Sequence, residues 1–237
     1  ESEKVEAEQQ GVTGTSVVIP LGLDLGGFDH LPRRDVFLRR WPSATGRKVV
    51  LFLSRIDPKK GLDLLLEAFV EVKRREPLAL LAIGGAGEVS LVEALRSKAE
   101  SLGLADDVLW LGFLDGSMKL EAFGGVDAFV LPSLSENFGI AAVEALAAGL
   151  PSVLTEGVGV AREVAAAKAG LVVAGEPSAV ATALLRILGE EGLAEALSRN
   201  AQVLVRERYS LEAMGLNLKR LYDDILNRHR GALGASS

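Results

Sequence analysis

Residues 126–155 read VDAFVLPSLSENFGIAAVEALAAGLPSVLT. The opening apolar run, VDAFVLPS, has the length of a strand and stops at Pro132 and Ser133. A polar loop follows, then FGIAAVEALAAG, whose one charge is Glu144. Gly149 and Pro151 end that helical stretch, and PSVLT begins a second strand. A helix apolar on nearly every side must be covered on nearly every side. Short apolar strands joined through such helices belong to a parallel sheet with both faces buried.

The same alternation runs outward in both directions. VVLFLS (49–54), LALLAIGG (78–85), VLWLGF (108–113) and AGLVVAG (169–175) read as further strands. LDLLLEAFVEVKRR (62–75), VSLVEALRSKAESLG (89–103) and SMKLEAFGG (117–125) read as helices. More helices are expected over 178–190, 191–206 and 210–228. Right-handed crossovers then give an α/β fold, a Rossmann-like doubly wound parallel sheet. Upstream of Lys48 the pattern is looser. A short polar helix is expected at 2–10 and a short strand at 17–20. The glycine-rich GLDLGGF follows, and 33–46 reads as charged and irregular, with Pro32 and Pro42 as breakers. These readings divide the chain into a linker or domain remnant (1–16), one Rossmann-like domain (17–228) and a flexible tail (229–237). The chain begins at Glu1 rather than Met, so a fragment of a longer protein is expected.

Composition excludes several function classes. Of 237 residues, 49% are hydrophobic and 24% charged, enough apolar material for a sizeable core. The net charge is −6, and no block of like charge forms a nucleic-acid arm. There is no cysteine, which removes disulfides, thiolate nucleophiles and zinc ribbons. Two histidines, His30 and His229, cannot build a histidine-rich metal site. No Asp-x-Asp occurs, so no metal is expected. No apolar run reaches the length of a membrane span.

In a doubly wound sheet ligands bind beyond the carboxyl ends of the strands, so the residues that follow each strand are the candidates. After VVLFLS come Arg55, Lys59 and Lys60, placed to hold a diphosphate; for a lone lysine, a solvated turn is the plainer reading. After LALLAI come Gly84, Gly85 and Gly87, which admit a ligand close to the backbone or serve an ordinary tight turn. The run matches neither the dinucleotide fingerprint nor a Walker loop. Phe113 and Leu114 could offer an apolar slot for a nucleobase, although core packing is the better reading of these residues by themselves. The loop Ser133-Leu134-Ser135-Glu136-Asn137-Phe138-Gly139 leads into a helix whose free first-turn amides can bind an anion. Glu144, inside that helix, needs a hydrogen-bond partner, either ligand or backbone. Were both helical, Glu136 and Glu144 would stand roughly 12 Å apart, too far to act on one bond. They suit the two ends of an elongated ligand.

Taken in order, these stretches resemble the C-terminal, donor-binding domain of GT-B glycosyltransferases of family four, also called group 1. The residues that carry the resemblance are VIPLGLDLGGF (18–28), SRIDPKKGLDLLLEAF (54–69), AIGGAGE (82–88), VLWLGFL (108–114), residues 126–155 and AGLVV (169–173). Each is weak alone; the ordered set with its Glu-x7-Glu pair is specific. The resemblance implies that Glu136, Arg55 and Lys60 are the catalytic residues, Arg55 and Lys60 binding the donor diphosphate. It further implies that Glu136 contacts sugar hydroxyls beside the backbone of Asn137, Phe138 and Gly139. Glu144 would hold the ribose, and backbone near Gly85, Phe113 and Leu114 would face the donor and its base. The implied reaction is retaining, metal-independent transfer from a nucleotide-diphosphate sugar, with no separate cofactor. An N-terminal domain that binds the acceptor is implied as partner, leaving this chain alone inactive. A cytoplasmic setting is expected, peripheral to a membrane at most. One departure is Ser54 before Arg55, where the family usually has glycine. A nucleotide-sugar-binding regulatory module without turnover is the alternative.

Overall fold

The computed structural model describes residues 9–11 and 16–234, with side chains to residue 227. Six strands form one parallel sheet: β1 (Lys48–Leu53), β2 (Ala79–Gly84), β3 (Val108–Gly112), β4 (Ala128–Leu131), β5 (Ser152–Thr155) and β6 (Leu171–Val173). Their order is β3-β2-β1-β4-β5-β6, and every pairing is parallel. Residues 49–53 of β1, and all of β2, β4 and β5, are buried, as a sheet covered on both faces requires.

Nine helices accompany the strands among the described residues: α1 (Arg34–Arg40), α2 (Leu62–Arg75), α3 (Val89–Ser101), α4 (Gly116–Gly125), α5 (Ile140–Ala147), α6 (Ala161–Ala166), α7 (Pro177–Gly189), α8 (Leu193–Arg208) and α9 (Leu211–Gly234). In α2 the apolar stripe Leu62, Leu65, Leu66, Phe69 and Val72 is buried, and Lys73, Arg74 and Arg75 close the helix at its negative end. Burying such side chains contributes about 1.5–3 kcal/mol each. α5 is apolar all round because α8 covers it opposite the sheet.

Two expectations upstream of β1 are corrected. Residues 17–20 form no strand; an isolated bridge further on joins Leu23 to Ser210. The region read as irregular contains α1 and a 3-10 turn, Pro42–Ala44. A seven-residue helix is too short to be stable alone. α1 is held by Phe37, fully buried against Gly125, where an added Cβ would stand 2.2 Å from the ring. Both prolines flank α1 without interrupting it. The polar helix expected over 2–10 lies almost wholly outside the described residues, and α9 continues past residue 228 to Gly234.

Candidate functional site

The strand order reverses between β1 and β4, and in open α/β sheets ligands bind beyond the carboxyl ends of the strands at such a switch point. Loops leaving four strands are joined there by backbone hydrogen bonds. Ile56 N–H donates to the Ala86 carbonyl at 2.8 Å, tying the β1 loop to the β2 loop. Leu134 N–H donates to the Lys59 carbonyl at 2.8 Å, tying the β4 loop to the β1 loop. Glu136 N–H donates to Gly157 at 2.9 Å and its carbonyl accepts from Gly159 at 2.8 Å, tying the β4 loop to the β5 loop.

These joints explain the glycines. At Gly61, φ is +71° and an added Cβ would stand 2.1 Å from the Pro132 carbonyl oxygen. At Gly85 the Ser54 carbonyl oxygen would stand 1.8 Å away, so the close approach there is by the chain's own backbone.

Lys60 ends a 3-10 turn, Pro58–Lys60, capped by the Asp57 carboxylate accepting from Lys59 N–H at 2.9 Å. The turn is pressed onto the β4 loop, and Lys60 is only 7% exposed. Its Nζ donates to Glu136 Oε2. Two candidates read from separate motifs thus form one ion pair between the loops that leave β1 and β4. Arg55 is exposed and forms no hydrogen bond or ion pair with another described residue.

Glu136 lies four residues ahead of α5, and Gly139, with φ of +92°, begins that helix without a side-chain cap. Ala142 N–H donates to the Gly139 carbonyl at 2.9 Å, which leaves the Ile140 and Ala141 amides to an anion. Glu144 is 7% exposed inside α5, and its partner is neither backbone nor Glu136. Lys119 of α4 donates to Glu144 Oε1 at 2.5 Å. The sequence reading did not single out Lys119. The available signal was an apolar helix with a single carboxylate, and Lys119 as the one cation of residues 112–125.

Leu114 is buried, as core packing requires, whereas Phe113 is 68% exposed and belongs to no core. Phe138 packs edge-on against Tyr209, ring centres 5.7 Å apart. Asn137 and Phe138 line a neighbouring cavity of about 480 Å³ together with Pro20, Glu163, Arg208 and Tyr209. Burial pushes the Tyr209 phenol up to about 12, with the Glu163 carboxylate adding to the effect. No group of three or more histidine, aspartate or glutamate side chains able to hold a metal ion is found among the described residues.

The model of the family described as "Glycosyl transferases group 1" matches residues 34–203, more than half of the chain. The chain belongs to the group 1 glycosyltransferases. Among curated relatives, D-inositol 3-phosphate glycosyltransferase of Actinosynnema mirum is 36% identical over 193 residues, covering 78% of this chain and 46% of that protein. Phosphatidyl-myo-inositol mannosyltransferase of Mycobacterium leprae is 32% identical over 222 residues, covering 92% of this chain and 56% of that protein. The chain therefore spans about half the length of the curated relatives it matches. Among solved structures, Anabaena Alr3699/HepE in complex with UDP-glucose superposes with a TM-score of 0.83 at 22% identity, covering 94% of this chain and 62% of that one. The C-terminal domain of a group 1 glycosyl transferase (LpcC) from Francisella tularensis superposes with a TM-score of 0.70 at 22% identity, covering 80% of this chain and 100% of that one. This group 1 domain is the C-terminal, Rossmann-like half of the GT-B architecture. No helix among the described residues is long and apolar enough to cross a membrane.

Proposed function

We propose that this chain binds the donor for a retaining glycosyltransferase that takes its sugar from a nucleotide diphosphate. An N-terminal domain of the same protein would hold the acceptor. The observation that carries this reading is the meeting of Lys60 with Glu136 at the β1/β4 switch point, beside the uncapped start of α5 and with Glu144 within that helix. Cations, open amides and separated carboxylates match a ligand with a diphosphate between two hydroxyl-rich ends.

In this reading Arg55 and Lys60 hold the diphosphate. Lys60 carries three N–H donors, so it serves a phosphate oxygen while keeping Glu136. Glu136 accepts from sugar hydroxyls and Glu144 from the ribose, with the base against the backbone at Phe113 and Leu114. As the bond between the anomeric carbon and the diphosphate oxygen breaks, negative charge collects on the diphosphate. The two cations and the α5 amides stabilise that charge. The acceptor hydroxyl attacks from the same face and passes its proton to a donor phosphate oxygen. No step requires a metal.

Calorimetry tests the reading, using UDP, GDP and ADP and their glucose and mannose conjugates, each with and without EDTA. At least one nucleotide diphosphate should bind, unaffected by the chelator, and no sugar should be transferred to water-soluble alcohols by this chain alone. Failure of every nucleotide to bind, or dependence on a divalent cation, overturns it.

A further inference from the structure

Glu144 is the one charged residue of α5 and lies almost wholly out of water. A carboxylate so placed is costly without a partner. The partner comes from α4: Lys119 Nζ donates to Oε1 at 2.5 Å. The pair is held by one oxygen only. Glu144 Oε2 takes no hydrogen bond from a described residue, yet the sealed, unpartnered side-chain atom among those residues is Ser133 Oγ. Oε2 is therefore not sealed from solvent. The Lys119 side chain is 30% exposed, so the pair is open on one side. Lys119 has Glu144 as its one side-chain acceptor among the described residues, which leaves ammonium protons to spare. α4 begins two residues beyond Leu114. One lysine thus ties the segment next to the base slot to the carboxylate inside α5.

We propose that Lys119 is a positioning residue for ribose recognition: it clamps Glu144 by Oε1, so that Oε2 meets the vicinal diol of the donor nucleotide. The inference rests on the donor-binding reading above and goes beyond it in assigning Lys119. The diol donates one hydroxyl proton to Oε2. Its other hydroxyl oxygen can accept a spare proton from Lys119, so the pair reads a diol rather than a single hydroxyl. A tether serving only to join α4 to α5 needs neither an open oxygen nor an exposed amine.

The experiment compares affinities for UDP, GDP and ADP with those for their 2′,3′-dideoxy counterparts, by calorimetry. The wild-type chain should favour the ribose form by at least about tenfold, the worth of one hydrogen bond to a charged group. Lys119→Met should cut that preference to about threefold or less, while the dideoxy affinity stays within about twofold. Lys119→Arg should restore most of the preference. Glu144→Gln should abolish it, and the double variant should lose no more than Glu144→Gln alone. Lys119→Gln leaves Glu144 an N–H donor without the charge, so it keeps the comparison available if Lys119→Met folds poorly; its ribose preference should fall between those of Lys119→Met and the wild-type chain. Equal weakening of ribose and dideoxy forms in Lys119→Met would show a structural tether and overturn the inference. An intact ribose preference in Lys119→Met overturns it while the ribose role of Glu144 stands. Absence of any ribose preference in the wild-type chain overturns both.

Discussion

Lys60 and Glu136, 76 positions apart in the chain, form an ion pair in which the side chains are only 8% and 22% exposed. In the proposed reading, the cation assigned to the diphosphate and the carboxylate assigned to the sugar are therefore neutralised against each other before any donor arrives. Removing one member leaves the other partly buried and alone, at a cost of about 1–3 kcal/mol. Lys60→Met should lower stability more than the double variant Lys60→Met/Glu136→Gln, measured by urea unfolding. A double variant less stable than both single variants would show that the pair contributes little in the folded state.

For ligand binding the same pair predicts a split. Glu136→Gln should weaken an intact nucleotide sugar and leave the nucleotide diphosphate unchanged or tighter, because Lys60 no longer shares its charge. Loss of diphosphate affinity equal to the loss for the sugar donor would refute the hydroxyl role of Glu136.

Arg55 stands exposed and unpaired among the described residues, so its removal should not disturb the fold. Arg55→Ala should change stability by no more than about 0.5 kcal/mol. The same substitution should weaken nucleotide diphosphate by about 10- to 100-fold, with the bare nucleoside little affected. Parallel calorimetry on the two ligands checks this.

Gly61 combines a left-handed φ with a carbonyl oxygen where its Cβ would be. Gly61→Ala forces the Lys59–Lys60 turn away from Pro132 and should cost about 3 kcal/mol or more, a fall in Tm of roughly 6–12 °C. Gly46 has a similar φ, +74°, but open space around it. Gly46→Ala should cost only about 1 kcal/mol. Thermal unfolding of the two variants separates strain from collision.

Tyr209 links stability to alkaline pH. In the unfolded chain its phenol ionises near pH 10; in the folded chain it does so at about 12. Below pH 10 both states keep the proton. Between pH 10 and 12 only the folded state keeps it, so stability should fall by up to ~1.4 kcal/mol per pH unit. Tyr209→Phe should lose this slope. Urea unfolding at several pH values from 9 to 12 compares the two proteins.

Much of the fold was legible before any coordinates. α2 spans residues 62–75 in sequence reading and structure alike, because its apolar stripe, its glycine start and its basic last turn all agree. The parallel sheet followed from strands without polar alternation. Of the segments that misled, 33–46 owes its helix to docking of Phe37 on the distant Gly125, and 17–20 forms no strand. Their local pattern carries little signal. Lys119 was overlooked for a related reason: a lone lysine on a short helix looks solvated until the carboxylate facing it is known.

By itself the sequence determined the alternation of strands and helices, the family, and the residue types gathered at the strand ends. Those depend on local periodicity and on turn chemistry, which neighbours in the chain specify. Tertiary structure decided which charges meet: Lys60 with Glu136, and Lys119 with Glu144 across 25 positions. It also decided that Leu114 is core while Phe113 is exposed. Ion pairing and burial depend on where crossovers bring separate elements together, and no stretch of residues records that distance.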